Sequence, residues 1–131
     1  MTERDRAAAI LAAINAAISP AVAYEYASVP GTNGNSGVTP AKYVLFDLSR
    51  RYVESRRSSG EVSVSGYRLG TRYVAKSVGD ARTMRDRVTA ALEDQIIAVG
   101  DDSVGPFTFE SSDAILPDDG GYQSGADVWT F

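Results

Sequence analysis

The stretch GYRLGTRYVAKSVGDARTMRDRV, residues 66–88, decides the fold, because two periodicities meet inside it. Tyr67, Leu69, Tyr73 and Ala75 share one parity, with Thr71 between them. Arg68, Arg72 and Lys76 share the other, with Gly70 and Val74. Alternation at period two marks a strand, here with an aromatic row for the core and a basic row on its other face. Ser77 then occupies an N-cap position, with Asp80 three residues later. Met84, Val88, Ala91, Leu92 and Gln95 or Ile96 recur at helical spacing, so the strand passes directly into a helix with one apolar stripe. Arg82, Arg85 and Asp86 are expected to face outward.

On the N-terminal side, KYVLFDLSRRYV (42–53) is apolar on both parities: Tyr43 and Leu45 on one, Val44, Phe46 and Leu48 on the other. That suits a central strand covered on both faces. ESRRSSGE (54–61) reads as a turn with Arg56 and Arg57 near its tip, and Val62 and Val64 restart a strand. The buried face switches near Gly66, as a β-bulge would allow. Residues 42–53 and 62–76 therefore predict a long hairpin with a basic tip. Earlier still, Thr2 and Asp5 suit a helix start, Ile10, Leu11, Ile14, Ala17 and Ile18 follow at helical spacing, and Pro20 ends the run. Val22, Tyr24 and Tyr26 alternate as a strand with one buried face. SVPGTNGNSGVTPA (28–41) is a long loop, expected to be mobile, serving either as a contact element or as a plain connection.

After the second helix, VGDDSVGP is a turn region, FTFE (107–110) a short strand, and LPDDGG (116–121) a tight acidic turn. YQSGADVWTF (122–131) is a final strand, with Trp129 and Phe131 on one side and Tyr122, Ala126 and Val128 mostly on the other. The expected fold is α/β (α+β). A single domain over residues 1–131 holds a mostly antiparallel or mixed sheet of about five strands, and two helices pack against it.

Composition narrows the function. The 131 residues include no Cys and no His. This excludes thiolate catalysis, Ser-His and Cys-His machinery, and the commonest metal ligands. The N-terminus has mixed charge and an amphipathic Ala-rich run, unlike a secretory signal, and no run approaches the ~18 apolar residues that span a bilayer. Neither a phosphate loop nor a dinucleotide fingerprint is present. The pairs Asp101-Asp102 and Asp118-Asp119 sit in Gly-flanked turns and do not match a calcium loop. No catalytic residue, metal site or cofactor is expected.

The net charge of −4 hides an asymmetry. Residues 50–92 hold ten basic and four acidic residues, while residues 93–131 hold nine acidic and none basic. Either the two halves neutralise each other within the fold, or a basic face of one copy meets an acidic face of the next. Eleven Arg against two Lys favours bidentate pairing with carboxylates. Phosphate binding by the Arg cluster is the competing reading, opposed by the acidic overall balance and by Tyr and Arg lying on opposite parities.

The order of elements, a strand ending in VAKS followed at once by an A…M…V..AL helix, and the acidic PDDGGY turn before a final aromatic strand together resemble the tail terminator (tail completion) proteins of long-tailed bacteriophages. The resemblance extends over nearly the whole chain. It implies a homo-oligomeric ring, usually a hexamer, that caps the head-proximal end of the tail tube. Such a ring stops tube polymerisation and offers a docking surface to the head connector. Its partners are copies of itself, the tail tube protein and the connector, with DNA only passing through the lumen and no membrane; its place is the virion. On this reading Arg68, Arg72, Arg82 and Arg85 meet Asp113, Asp118, Asp119 or Asp127 of a neighbour. Arg50, Arg51, Arg56 and Arg57, with the 28–41 loop, face tube or connector. Alternatives are another head–tail joining component of the virion, or a small nucleic-acid-binding domain.

Overall fold

A computed structural model describes residues 1–51 and 66–131. The hairpin tip with Arg56 and Arg57, and the restarted strand at Val62 and Val64, lie outside the described residues. The fold is α+β. Helices α1 (Glu3–Ile18) and α2 (Val78–Leu92) pack on one face of a mixed sheet built from β1 (Val22–Glu25), β2 (Lys42–Arg51), β3 (Gly66–Ala75), β6 (Thr108–Ser112), β7 (Leu116–Pro117) and β8 (Gln123–Thr130). The order across the sheet is β1-β2-β3-β8-β6, with β7 continuing beside β8. β1 runs parallel to β2, and the other described pairs of this sheet are antiparallel. A separate hairpin joins β4 (Ile97–Val99) to β5 (Asp102–Val104).

Local chemistry sets the helix starts. Thr2 Oγ1 accepts from the Asp5 amide at 3.1 Å, and the Asp5 carboxylate accepts from the Thr2 amide at 3.1 Å, closing a capping box. The Thr2 amide holds the Asp5 carboxyl below its usual range. Ser77 caps α2 through the Asp80 amide at 3.1 Å. Ile10, Ile14 and Ile18 of α1 and Ala81, Met84, Val88 and Leu92 of α2 form the buried stripes. They meet Val44, Phe46, Leu69, Tyr73 and Trp129 across the sheet face. The α2 stripe stops at Leu92; Gln95 and Ile96, expected to extend it, lie beyond the helix and are exposed. Phe107 pairs with this connecting segment, accepting from the Asp94 amide at 2.9 Å.

One further expectation changes. In β1 the buried residue is Ala23, while Val22 and Tyr26 are exposed. Asn15 of α1 accepts from the Ala23 amide at 2.8 Å, which ties β1 to the helix at that residue. The 28–41 segment packs on the sheet face opposite the helices. Val29 is 3 % exposed and joins Tyr43 and Val74 in a second apolar cluster. Asn35 Nδ2 donates to the carbonyls of Ala27 and Val29 at 2.8 and 3.1 Å, and Tyr122 donates to Pro40 at 2.8 Å. These bonds give the loop a definite path over one half of that face.

Candidate functional site

The β2–β3 hairpin is antiparallel, pairing Lys42 with Ala75 and Arg51 with Gly66. Its register and that of β3 with β8 lay out the half of the sheet face that the loop leaves open. Ser49, Arg68 and Thr130 form one cross-strand row, Asp47, Gly70 and Val128 the next, and Leu45, Arg72 and Ala126 the third. The basic row read from the sequence thus stands on a sheet surface that no helix covers among the described residues. A groove of about 350 Å³ runs there between Tyr26, Asp47, Arg68, Arg72 and Asp113. Asp47 folds its carboxylate over Gly70, where a larger residue would displace it.

Charges on this face are only lightly tied. Arg68 forms a forked pair with Glu110, Nε to Oε2 at 3.3 Å and Nη2 to Oε1 at 3.2 Å, with both side chains roughly half exposed. Such a pair contributes little to stability and exchanges readily with another partner. Arg72 Nη1 donates to Ser124 Oγ at 3.3 Å, and Ser124 donates to Asp118 Oδ2 at 2.9 Å. Asp118 also accepts from the Asp119 amide at 2.8 Å; that bond first, then Ser124, holds its carboxyl below the usual range. Lys76 closes the row, donating to the Gly120 carbonyl at 2.7 Å with its ammonium 3.9 Å from the Tyr122 ring centre.

The helix-covered face treats its charges differently. Asp127 is 2 % exposed. It lies 3.3 Å from Arg85 Nε, a charge contact without hydrogen-bond alignment, and accepts from Ser112 Oγ at 2.6 Å and from Tyr73 Oη at 3.1 Å. Trp129 Nε1 donates to Thr71 Oγ1 at 3.2 Å, and the Thr71 hydroxyl meets Tyr73 Oη at 2.8 Å. If Tyr73 gives its proton to Asp127, Thr71 must donate to Tyr73, so a chain of donors runs from the indole to the carboxylate. Arg85 completes the cluster: Nη2 donates to the Asp113 carbonyl at 2.7 Å, and the guanidinium lies 5.3 Å from the Tyr73 ring centre. Burial, above all, pushes the Tyr73 hydroxyl well above its ordinary range, and the nearby Asp127 charge adds to this.

The residues proposed from sequence therefore separate. Arg68 and Arg72 share the open face with Asp113 and Asp118 beside them, while Arg82 is exposed on α2, on the other side of the sheet. Arg85 was expected to face outward and Asp127 to meet a neighbour; instead they meet each other inside one chain. The clue was parity: Asp127 shares the odd positions of β8 with Trp129 and Phe131. Asp113, Asp118 and Asp119 are exposed around the β6–β7–β8 connections. Arg50 pairs with Glu3 at 3.1 Å, with its side chain 71 % exposed. Asp102 and Asp118 bond their own turn amides, and no group of three potential metal ligands occurs among the described residues.

No protein-family model matches the chain, and no curated protein matches it. Among solved structures, it is similar to a chain of the virion of a native gene transfer agent particle, with a TM-score of 0.59 and 13 % identity. The match covers 89 % of this chain and 81 % of that one. The chain thus shares the fold of a virion component.

Proposed function

We propose that the chain is a virion structural protein that caps the head-proximal end of a phage tail tube as a ring, halting tube growth and presenting a docking surface to the head connector. The observation that carries this reading is the fold shared with a chain of a gene transfer agent virion over 89 % of the present one. The open, arginine-bearing sheet face supports it, because recognition without turnover needs a formed surface rather than a catalytic pocket. Head-to-tail contacts require two different patches on each copy. The exposed Arg72 and Arg82, and the exposed Asp113 and Asp119, remain as candidates for contacts between copies. Arg50 and Arg51 remain candidates for tube or connector. Charge complementarity at such contacts sets partner choice and rate more than affinity.

The test is tube growth. Tail tube protein is polymerised with and without the purified chain, and tube lengths are read by electron microscopy. Arrested tubes carrying a ring at one end support the proposal. Unchanged growth, with binding to connector protein alone, moves the chain to another head–tail joining role; binding to neither overturns the virion-joining reading.

A further inference from the structure

Among the described residues the sheet has two edges without a pairing strand, and the chemistry of each follows from the register. Beside β2, strand β1 ends at Glu25, and the last bond between them runs from the Tyr26 amide to the Phe46 carbonyl at 3.2 Å. In a strand the N–H and C=O of one residue point the same way, and alternate residues point to opposite sides. Phe46 points toward β1, so Leu48 and Arg50 point that way too, where no strand lies among the described residues. A groove of about 650 Å³ adjoins this edge, floored by Ala7, Ala8, Leu11 and Leu48. At the far end of the sheet, all five residues of β6 are exposed, and its outer edge is likewise unpaired among the described residues.

Two observations link these edges. Exposed large apolar side chains stand near them: Tyr26 (75 %) where β1 ends, Phe109 (44 %) on β6 and Leu116 (61 %) on β7. The charges also differ: the β2 side carries Arg4, Arg50 and Arg51 alongside Glu3, Glu25 and Asp47, with Glu3 paired to Arg50, whereas Glu110 and Asp113 flank the β6 edge in a segment, residues 93–131, with no basic residue. We infer that the uncovered stretch of β2 in one copy receives the β6 edge of the next, so that the sheets of neighbouring copies join head to tail. A free edge is a template for another strand, and the two edges differ, which suits a contact that propagates and closes. This deepens the ring reading by naming the second copy as the occupant of the groove.

The test uses the absence of cysteine from the chain. Ser49 and Ser111 are exposed, one on each edge strand, and β3 and β8 separate those strands within a copy. That separation is three strand spacings, roughly 14 Å, so Ser49→Cys with Ser111→Cys cannot bridge inside one copy. Asp47→Cys with Ser111→Cys covers the next register on the same face. Under mild oxidation these variants are expected to give a ladder of covalent oligomers, about tenfold more than a control pair of Ser49→Cys with Ser36→Cys in the 28–41 loop. Light scattering on the unmodified chain runs alongside. A ring by mass with no ladder overturns the edge pairing and leaves the ring reading standing. A monomer at every concentration with no ladder also overturns the edge pairing, and tube arrest then decides the capping reading alone.

Discussion

The two sides of the sheet at β3 both hold charged side chains and put them to opposite uses. On the helix side, one carboxylate and one guanidinium meet in a buried cluster with Tyr73, Thr71, Ser112 and Trp129. On the open side, Arg68 and Glu110 form a half-exposed pair, and Arg72 reaches only a serine hydroxyl. A charge that faces the helix layer must be neutralised inside the chain, because its desolvation is costly. A charge on the open face stays hydrated and available to a partner. The side of the sheet on which a charge lies, not net charge, decides which role it takes.

The largest expected difference between the faces comes from breaking the buried pair. Asp127→Ala leaves the Arg85 guanidinium against the Tyr73 ring without its counter-charge and is expected to cost about 3 kcal/mol, read by denaturant unfolding. Arg68→Ala, the matching cut on the open face, is expected to cost about 0.5 kcal/mol or less. Equal losses would erase the distinction.

Glycine substitutions sharpen the same contrast. A Cβ at Gly125 would lie 2.9 Å from both Arg85 Nη2 and Ile115 Cγ1 and 3.1 Å from the Ala114 carbonyl, all packed around the buried cluster. Gly125→Ala is expected to lower stability by about 1–3 kcal/mol. Gly70→Ala meets only the Asp47 carboxylate, the far end of an exposed side chain that can swing away, and is expected to cost about 0.5 kcal/mol.

A smaller effect reports on Tyr73 itself. Its folded hydroxyl titrates above the ordinary tyrosine range, so it stays protonated when unfolded tyrosines ionise near pH ~10. Stability from this group is present below that pH and declines as pH rises toward the folded value. Tyr73→Phe is expected to cost about 1 kcal/mol at neutral pH and to flatten the alkaline limb of the stability profile. An unchanged alkaline limb would place the hydroxyl in contact with water.

Much of this fold was legible in sequence, because period two and period 3.6 are direct consequences of strand and helix geometry. Residues 66–88 displayed both, and the Thr2 and Ser77 caps followed from single side chains. The short β1 was read on the other parity, because apolar size suggested Val22 and Tyr24, whereas the residue buried beside α1 is Ala23 and Val22 is exposed. The β4–β5 hairpin was read as a turn, since its strands are three residues each. Arg85 and Asp127 escaped because their pairing depends on α2 crossing β8, a long-range contact that periodicity does not encode. The part of the β2 edge that has no partner strand among the described residues escaped for the same reason: it follows from β1 ending at Glu25.

The central claim, that the open face recognises partners while the buried cluster only holds the fold, is most directly tested by the lengths of tail tubes grown in the presence of three proteins. These are the unmodified chain, Arg72→Glu and Tyr73→Phe, each at a temperature where it is folded. The account predicts arrested tubes with the unmodified chain and with Tyr73→Phe, and unarrested growth with Arg72→Glu. Arrest by Arg72→Glu equal to that of the unmodified chain would contradict it.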